Sequence, residues 1–229
     1  MGIISSENEK PGHGYLAFFD LDGTITREIS GKALAVTAYK KGLMSTSDIV
    51  HALYMSLLYK LSIEDPLSII GSMMNWLKGL PEKSLADLSA GVFREVLLPS
   101  VYTNARDEIR FHKERNAKTV ILSSSISFIC REAVNSLGMD DAICTEPEII
   151  NGYCTGKPSG AFCFDGEKGV RLAEYCAAHN CDLDRAWFFG DSIHDVSALS
   201  IVGHPVCVNP GSKLRSTAIR KGWDIKQWS

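Results

Sequence analysis

The sequence predicts an α/β fold: an open, mostly parallel sheet covered by helices on both faces, with a helical block inserted after the first strand. Three observations carry this expectation. Short apolar, β-branched or aromatic runs recur along the chain, the pattern of strands buried on both faces. Helix-like stretches separate them from residue 103 onward, as a parallel sheet requires. Three of the runs end in polar clusters, at Asp20/Asp22, Ser123–Ser125 and Asp191/Asp195. In such sheets, ligands bind beyond the carboxyl ends of the strands.

Taken in order, Tyr15-Leu16-Ala17-Phe18-Phe19 reads as the first strand, ended by the turn at Gly23. Residues 1–14 read as a loose lead-in. Ala33, Leu34, Val36, Thr37 and Tyr39 then suggest a helix stopped near Gly42, and Ser45-Thr46-Ser47-Asp48 offers a cap for the next. Ile49, Leu53, Leu57 and Leu61 recur at the spacing of a buried helical stripe. Pro66, Gly79 and Pro81 punctuate two more helices, over 67–77 and 82–96, so residues 26–98 read as a helical bundle. After Pro99 come a charged helix over 103–115, a strand from Lys118 to Leu122 and a helix ended by Gly138. Ala142 to Thr145 is a further short strand, and 148–164 has the texture of a hairpin. A helix over 167–179 leads to the strand Ala186-Trp187-Phe188-Phe189, and His204 to Val208 follows another helix.

Bulk properties narrow the function. The chain has 229 residues, 45% of them apolar, 22% charged, with a net charge of −3. No basic tract suited to a nucleic-acid backbone is present. No window holds the roughly 18 apolar residues of a membrane span, and the N-terminus lacks the charged and apolar regions of a secretory leader. The seven cysteines are scattered without a CxxC pair, which suits a reducing, cytoplasmic setting better than a disulfide framework or a zinc site.

The strand ends carry the chemistry. Two carboxylates as close as Asp20 and Asp22 repel unless a cation or a shared proton intervenes. The carboxylates of Asp20 and Asp191 suit Mg²⁺, a hard cation that prefers oxygen. Asp20 can attack a phosphoryl group in line and form an aspartyl-phosphate. Asp22 can protonate the leaving alcohol, then take the proton of the attacking water. Lys168 offers a cation to the transferring phosphoryl, and Ser123 a hydroxyl beside a helix start. Singly, Ser123 and Lys168 have ordinary explanations, as a helix cap and a solvent-facing lysine. Their order along the chain with Asp20 and Asp191 is what gives them weight.

Together, Phe18-Phe19-Asp20-Leu21-Asp22-Gly23-Thr24, Val120 to Ser125, Lys168 and Gly190-Asp191-Ser192-Ile193-His194-Asp195 resemble the four motifs of the haloacid dehalogenase superfamily. The branch is subfamily IB, similar to phosphoserine phosphatases. The resemblance implies a Rossmann-like core over 15–25 and 99–229 and an all-helical cap of the C1 type over 26–98. It implies Asp20 as nucleophile and Asp22 as acid/base, the latter also giving its backbone carbonyl to Mg²⁺ beside Asp20 and Asp191. Ser123 then binds phosphate with Ser124 near it, Lys168 fills the third-motif role ahead of its rival Lys157, and Asp195 supports the metal site or orients Lys168. The expected activity is Mg²⁺-dependent hydrolysis of a small phosphorylated metabolite, with phosphoserine phosphatase as the alternative and phosphotransferase or phosphonatase chemistry behind it. Neither nucleic acid nor membrane is expected as a partner, and monomer and homodimer both stay open. Gly23, Ser124 and Ser125 depart from the phosphoserine phosphatase pattern, Arg27 and Glu28 do not match its amino-acid-binding pair, and Arg94, the other cap arginine, reads chiefly as part of a solvated helical face. Met44, Met55, Met73, Met74 and Trp76 make the cap apolar, chiefly for helix packing, with one or two available to line a pocket for an uncharged or weakly polar leaving group.

Overall fold

The computed structural model describes residues 14–60, 71–72 and 74–229. Residues 1–13 of the lead-in, Leu61, Pro66, and residues 67–70 and Met73 of the helix expected over 67–77 lie outside them. The core is a six-stranded sheet of β1 (Tyr15–Phe19), β2 (Ala117–Ile126), β3 (Asp141–Thr145), β6 (Trp187–Gly190), β7 (His204–Val208) and β8 (Asp224–Lys226). Every pairing is parallel, in the order β3-β2-β1-β6-β7-β8. The chain winds outward from β1 to β3, then returns to the other side of β1. That reversal leaves a crevice at the carboxyl end of β1, the usual ligand position in such sheets.

Alternation along β1 explains why the strand can be apolar throughout. Leu16 and Phe18 enter one buried layer, with Val120, Leu122 and Phe188, while Ala17 and Phe19 enter the opposite layer, with Ile121 and Phe189. The first layer is covered by α6 (Gly166–Ala178), α7 (Val196–Leu199) and α8 (Ser212–Lys221) through Leu172, Cys176, Ala198, Leu199, Leu214 and Ala218. The second is covered by α4 (Thr103–Glu114) and α5 (Ser127–Leu137) through Ala105, Ile109, Ile129 and Ala133. Gly138 ends α5 in the left-handed conformation, as its place in the sequence predicts.

Between β1 and α4 stands the helical insert: α1 (Ser30–Lys40), α2 (Thr46–Lys60) and α3 (Glu82–Val92), the last running into one π-helical turn over Phe93–Leu97. The expected cap at Ser45 is present, its hydroxyl accepting from the Asp48 amide at 3.2 Å while Asp48 accepts from the Ser45 amide at 3.0 Å. Of the stripe expected on α2, Ile49 packs inward with Ala52, whereas Leu53 is corrected, being 67% exposed. Two connectors tie the insert to the core and also bond to each other. The Arg27 amide donates to the Ser100 carbonyl at 3.0 Å, the Tyr102 amide donates to the Ile25 carbonyl at 3.0 Å, and the Arg27 guanidinium lies over the Tyr102 ring at 4.4 Å.

The hairpin of β4 (Pro147–Ile150) and β5 (Tyr153–Pro158) stands apart from the main sheet. It is fastened to the insert instead. Gly79 donates to the Cys154 carbonyl at 2.8 Å, Cys154 donates to the Leu80 carbonyl at 2.9 Å, and Glu82 donates to the Gly152 carbonyl at 2.9 Å.

Candidate active site

The site grows out of strand pairing. Phe19 pairs with Phe189, and the Asp20 amide continues that ladder by donating to the Phe189 carbonyl at 2.9 Å. Asp20 is thereby held at the end of the central strand, with Asp191 just past the end of its neighbour β6. Gly23 makes the approach possible. It takes φ +84°, which disfavours any side chain, and a Cβ there would lie 2.4 Å from Asp191 Oδ2. Gly190 performs a similar service for Asp195, because its Cβ would lie 2.8 Å from Asp195 Cγ.

Lys168, in the first turn of α6, is 3% exposed. Its Nζ donates to Asp195 Oδ1 at 2.7 Å and lies 3.1 Å from Asp20 Oδ1. Burial works against its charge, but Asp195 and Asp20 outweigh burial and hold it above the usual lysine range. Asp195 is fully committed, since Oδ2 accepts from the Ser192 amide at 3.0 Å within a capping box. The rival Lys157 is exposed on β5.

Asp20, Asp191 and Asp195 place carboxylate oxygens within 4.8 Å of one another. Three carboxylates and one ammonium leave two negative charges in a buried space. Burial, with the charges of Asp195 and Asp22, raises Asp20 to about 7 despite Lys168. Burial, with the charges of Asp20 and Asp195, raises Asp191 to about 8. Asp20 Oδ1 is buried, and its partner among the described residues is the Lys168 ammonium at 3.1 Å. This carboxylate cluster could hold a divalent cation, and an all-oxygen donor set is the kind that Mg²⁺ takes.

Asp22 has a different environment. Its Oδ1 accepts from the Ser30 amide at 2.8 Å and its Oδ2 from the Ser30 hydroxyl at 2.6 Å. The carboxylate is thus held by the first residue of α1. Burial raises its pKa, opposed by the two Ser30 bonds and by Lys168. The Ser30 hydroxyl also bonds to that of Ser125, joining the insert to β2. Sequence reasoning missed Ser30; a serine opening an apolar periodic stretch was the available signal.

β2 continues through Ser123-Ser124-Ser125 to Ile126, with an irregular register against β3 after Leu122, so the strand is longer than the run ending at Leu122 suggests. Ser123 is fully buried, and its hydroxyl accepts from the Ser125 amide at 3.2 Å. Ser124 and Ser125, rather than Ser123, line a cavity of about 230 Å³ between this strand end and the insert. Asp22, Ser30, Met44, Met74 and Trp76 line it too, whereas Met55 does not. Arg94 pairs with its neighbour Glu95 on the surface and is not part of the lining.

A parallel sheet with an acidic centre beyond its middle strands and a helical insert above it defines a hydrolase of the phosphoryl-transfer type. The haloacid dehalogenase-like hydrolase family profile matches residues 17–200, and the chain belongs to that family, among its phosphoserine-phosphatase-like members. It is 27% identical over 216 residues to a probable phosphatase of Mycobacterium tuberculosis (strain ATCC 25618 / H37Rv), spanning 93% of this chain and 75% of that one. A phosphoserine phosphatase of the same strain is 24% identical over 220 residues, spanning 93% of this chain and 70% of its own. Among solved structures, a protein of unknown function from Bordetella pertussis Tohama I superposes with a TM-score of 0.84 at 25% identity, covering 92% of this chain and 97% of that one. The protein is an enzyme, a phosphatase. Among the described residues, no helix is long and apolar enough to cross a membrane.

Proposed function

We propose that this phosphatase hydrolyses the phosphomonoester of a small metabolite through a phosphorylated Asp20. The observation that carries the proposal is the buried Asp20 carboxylate, paired with the Lys168 ammonium and clustered with Asp191 and Asp195 at the end of the central strand. Asp20 attacks phosphorus; the new Asp20 O–P bond forms as the bond to the leaving alcohol breaks. Asp22, whose raised pKa favours a held proton, delivers that proton to the alcohol oxygen. A water then attacks the same phosphorus, Asp22 takes its proton, and the Asp20 O–P bond breaks to release inorganic phosphate. Lys168, fixed by Asp195, opposes the charge on the transferring group, and Ser123 supplies a hydroxyl beside it. Asp20, Asp191 and the Asp22 backbone carbonyl would hold Mg²⁺, which supplies charge neutralisation for the phosphoryl oxygens when bound.

The reading takes the core as 15–25 with 99–229 and the cap as 26–98, hinged at the paired connectors around Arg27 and Ser100. A phosphoserine substrate is less well supported. Its ammonium and carboxylate groups need partners, and the described cavity lining offers no ionisable side chain except Asp22. The test is hydrolysis of 4-nitrophenyl phosphate with Mg²⁺, with chelator, and in Asp20→Asn. Turnover that needs Mg²⁺ and falls to background in Asp20→Asn is expected. Chelator-insensitive turnover, or an active Asp20→Asn protein, would refute the proposal.

A further inference from the structure

We infer that the alcohol released by this enzyme is uncharged and predominantly apolar, a single ring or a branched chain of similar bulk. The inference rests on the phosphomonoesterase reading and deepens it, by way of the cavity between the strand ends and the insert. Leu34, Met44, Met74, Leu77, Ile129 and Phe162 supply most of its wall. Among the described residues its polar side chains are Asp22, Ser30, Ser124 and Ser125, together with the half-buried indole of Trp76.

Charge decides the class of alcohol. Asp22 is the one ionisable group in the described lining, and both its oxygens already accept from Ser30. The nearest functional cation, Lys168, is taken up by Asp195 and Asp20. A leaving group carrying a carboxylate would enter with no cationic partner in the described lining. Burying such a charge unpaired costs several kcal/mol in general. Sugars fare little better, because each ring hydroxyl that loses water needs a donor or acceptor, and the described lining concentrates its own on Asp22 and three serines.

Size points the same way. A dry apolar cavity of about 150 Å³ accepts benzene. The present cavity, at about 230 Å³, has room for a ring with a short linker to the phosphate oxygen. Two thioethers and an indole in one wall suit a polarizable ring or a branched alkyl group. Ala35 on α1 and Ala52 on α2 keep this volume open, since longer side chains there would project into it.

The test compares initial rates of the full chain with Mg²⁺ on 2-phenylethyl phosphate, 3-methylbutyl phosphate, phosphoserine and glucose 6-phosphate. The expected kcat/KM for the better of the two apolar esters exceeds both polar ones by roughly 100-fold, the scale of discrimination an apolar pocket achieves. Ala35→Phe is expected to raise KM for that ester at least tenfold while leaving inhibition by inorganic phosphate unchanged, because phosphate alone needs only the strand ends. Ala52→Leu serves the same purpose from the other helix should Ala35→Phe not fold. Phosphoserine or glucose 6-phosphate turned over within tenfold of the apolar esters, with activity still lost in Asp20→Asn, overturns the inference and leaves the reaction class standing. Lack of hydrolysis of all four esters by a protein that still turns over 4-nitrophenyl phosphate overturns the inference alone, and absence of Asp20-dependent turnover of that aryl ester as well overturns both.

Discussion

Ser30 shows how much of a catalytic group's behaviour can come from a residue that carries no chemistry itself. Asp20 and Asp22 are legible in the sequence because two carboxylates after an apolar strand have few structural explanations. Their environments are not legible, since these come from residues distant in sequence. Lys168 reaches Asp20 across the sheet end, while Asp22 is held by a helix start in the insert. The two hydrogen bonds from Ser30 lower the Asp22 pKa against burial, which raises it. Ser30→Ala removes the shorter bond and is expected to raise that pKa further. In the proposed mechanism the first chemical step needs Asp22 protonated, so kcat/KM is expected to fall as pH rises through its pKa. The basic limb of the kcat/KM profile should therefore move to higher pH in Ser30→Ala and stay in place in Ser30→Thr, which keeps the hydroxyl. A limb that does not move in Ser30→Ala would show that Ser30 serves only to start α1.

At the scale of elements, legibility followed burial. β1 and β7 match their apolar runs because both of their faces are covered, which leaves an uninterrupted hydrophobic signature. β2 runs past Leu122 through three serines because hydrogen bonding at the sheet end, not side-chain hydrophobicity, extends it. The edge strand β8 and the charged helix α8 carry little pattern and were not anticipated. The turns around the site depend on glycine for stereochemical reasons that spacing alone does not reveal. Gly190 is the sharper case, because Asp195 Cβ and Cγ would lie 2.9 Å and 2.8 Å from an added Cβ, closer than packing allows. Gly190→Ala is expected to destabilise the protein by about 1–3 kcal/mol, the usual cost of overpacking, as Asp195 is pushed from Lys168. Urea unfolding should show a lower midpoint with an unchanged m-value. An unchanged midpoint would mean that Asp195 moves without cost and does not fix the lysine.

For the molecule as a whole, the sequence foretold an insert over the site but not what that insert does to the site. Met44, Met74 and Trp76 turn inward to the cavity, whereas Leu53, expected to be buried, faces solvent because α2 packs along Ile49 and Ala52. Covering the strand ends in this way buries a charge cluster, and the consequence is global. The folded chain holds protons on Asp20 up to about pH 7 and on Asp191 up to about pH 8, whereas carboxylates in an unfolded chain release theirs near 3.8. Between those limits the folded state binds more protons than the unfolded one, so stability without metal falls as pH rises from about 4 to about 8. A cation that replaces those protons stabilises the fold most where their loss costs most. The Mg²⁺-induced rise in Tm should therefore be larger at pH 8 than at pH 6. Asp191→Asn removes one of the repelling charges, and without Mg²⁺ it should melt higher than the wild type at pH 8, by roughly 2–4 °C for each kcal/mol relieved. Near pH 4 the two proteins should melt alike, because the wild-type carboxyl is then protonated. Mg²⁺ should no longer raise Tm in the variant at either pH. An Asp191→Asn protein that melts with the wild type at pH 8, or that keeps its Mg²⁺ response, would mean that the acidic cluster is held by structure alone and is not poised for a cation.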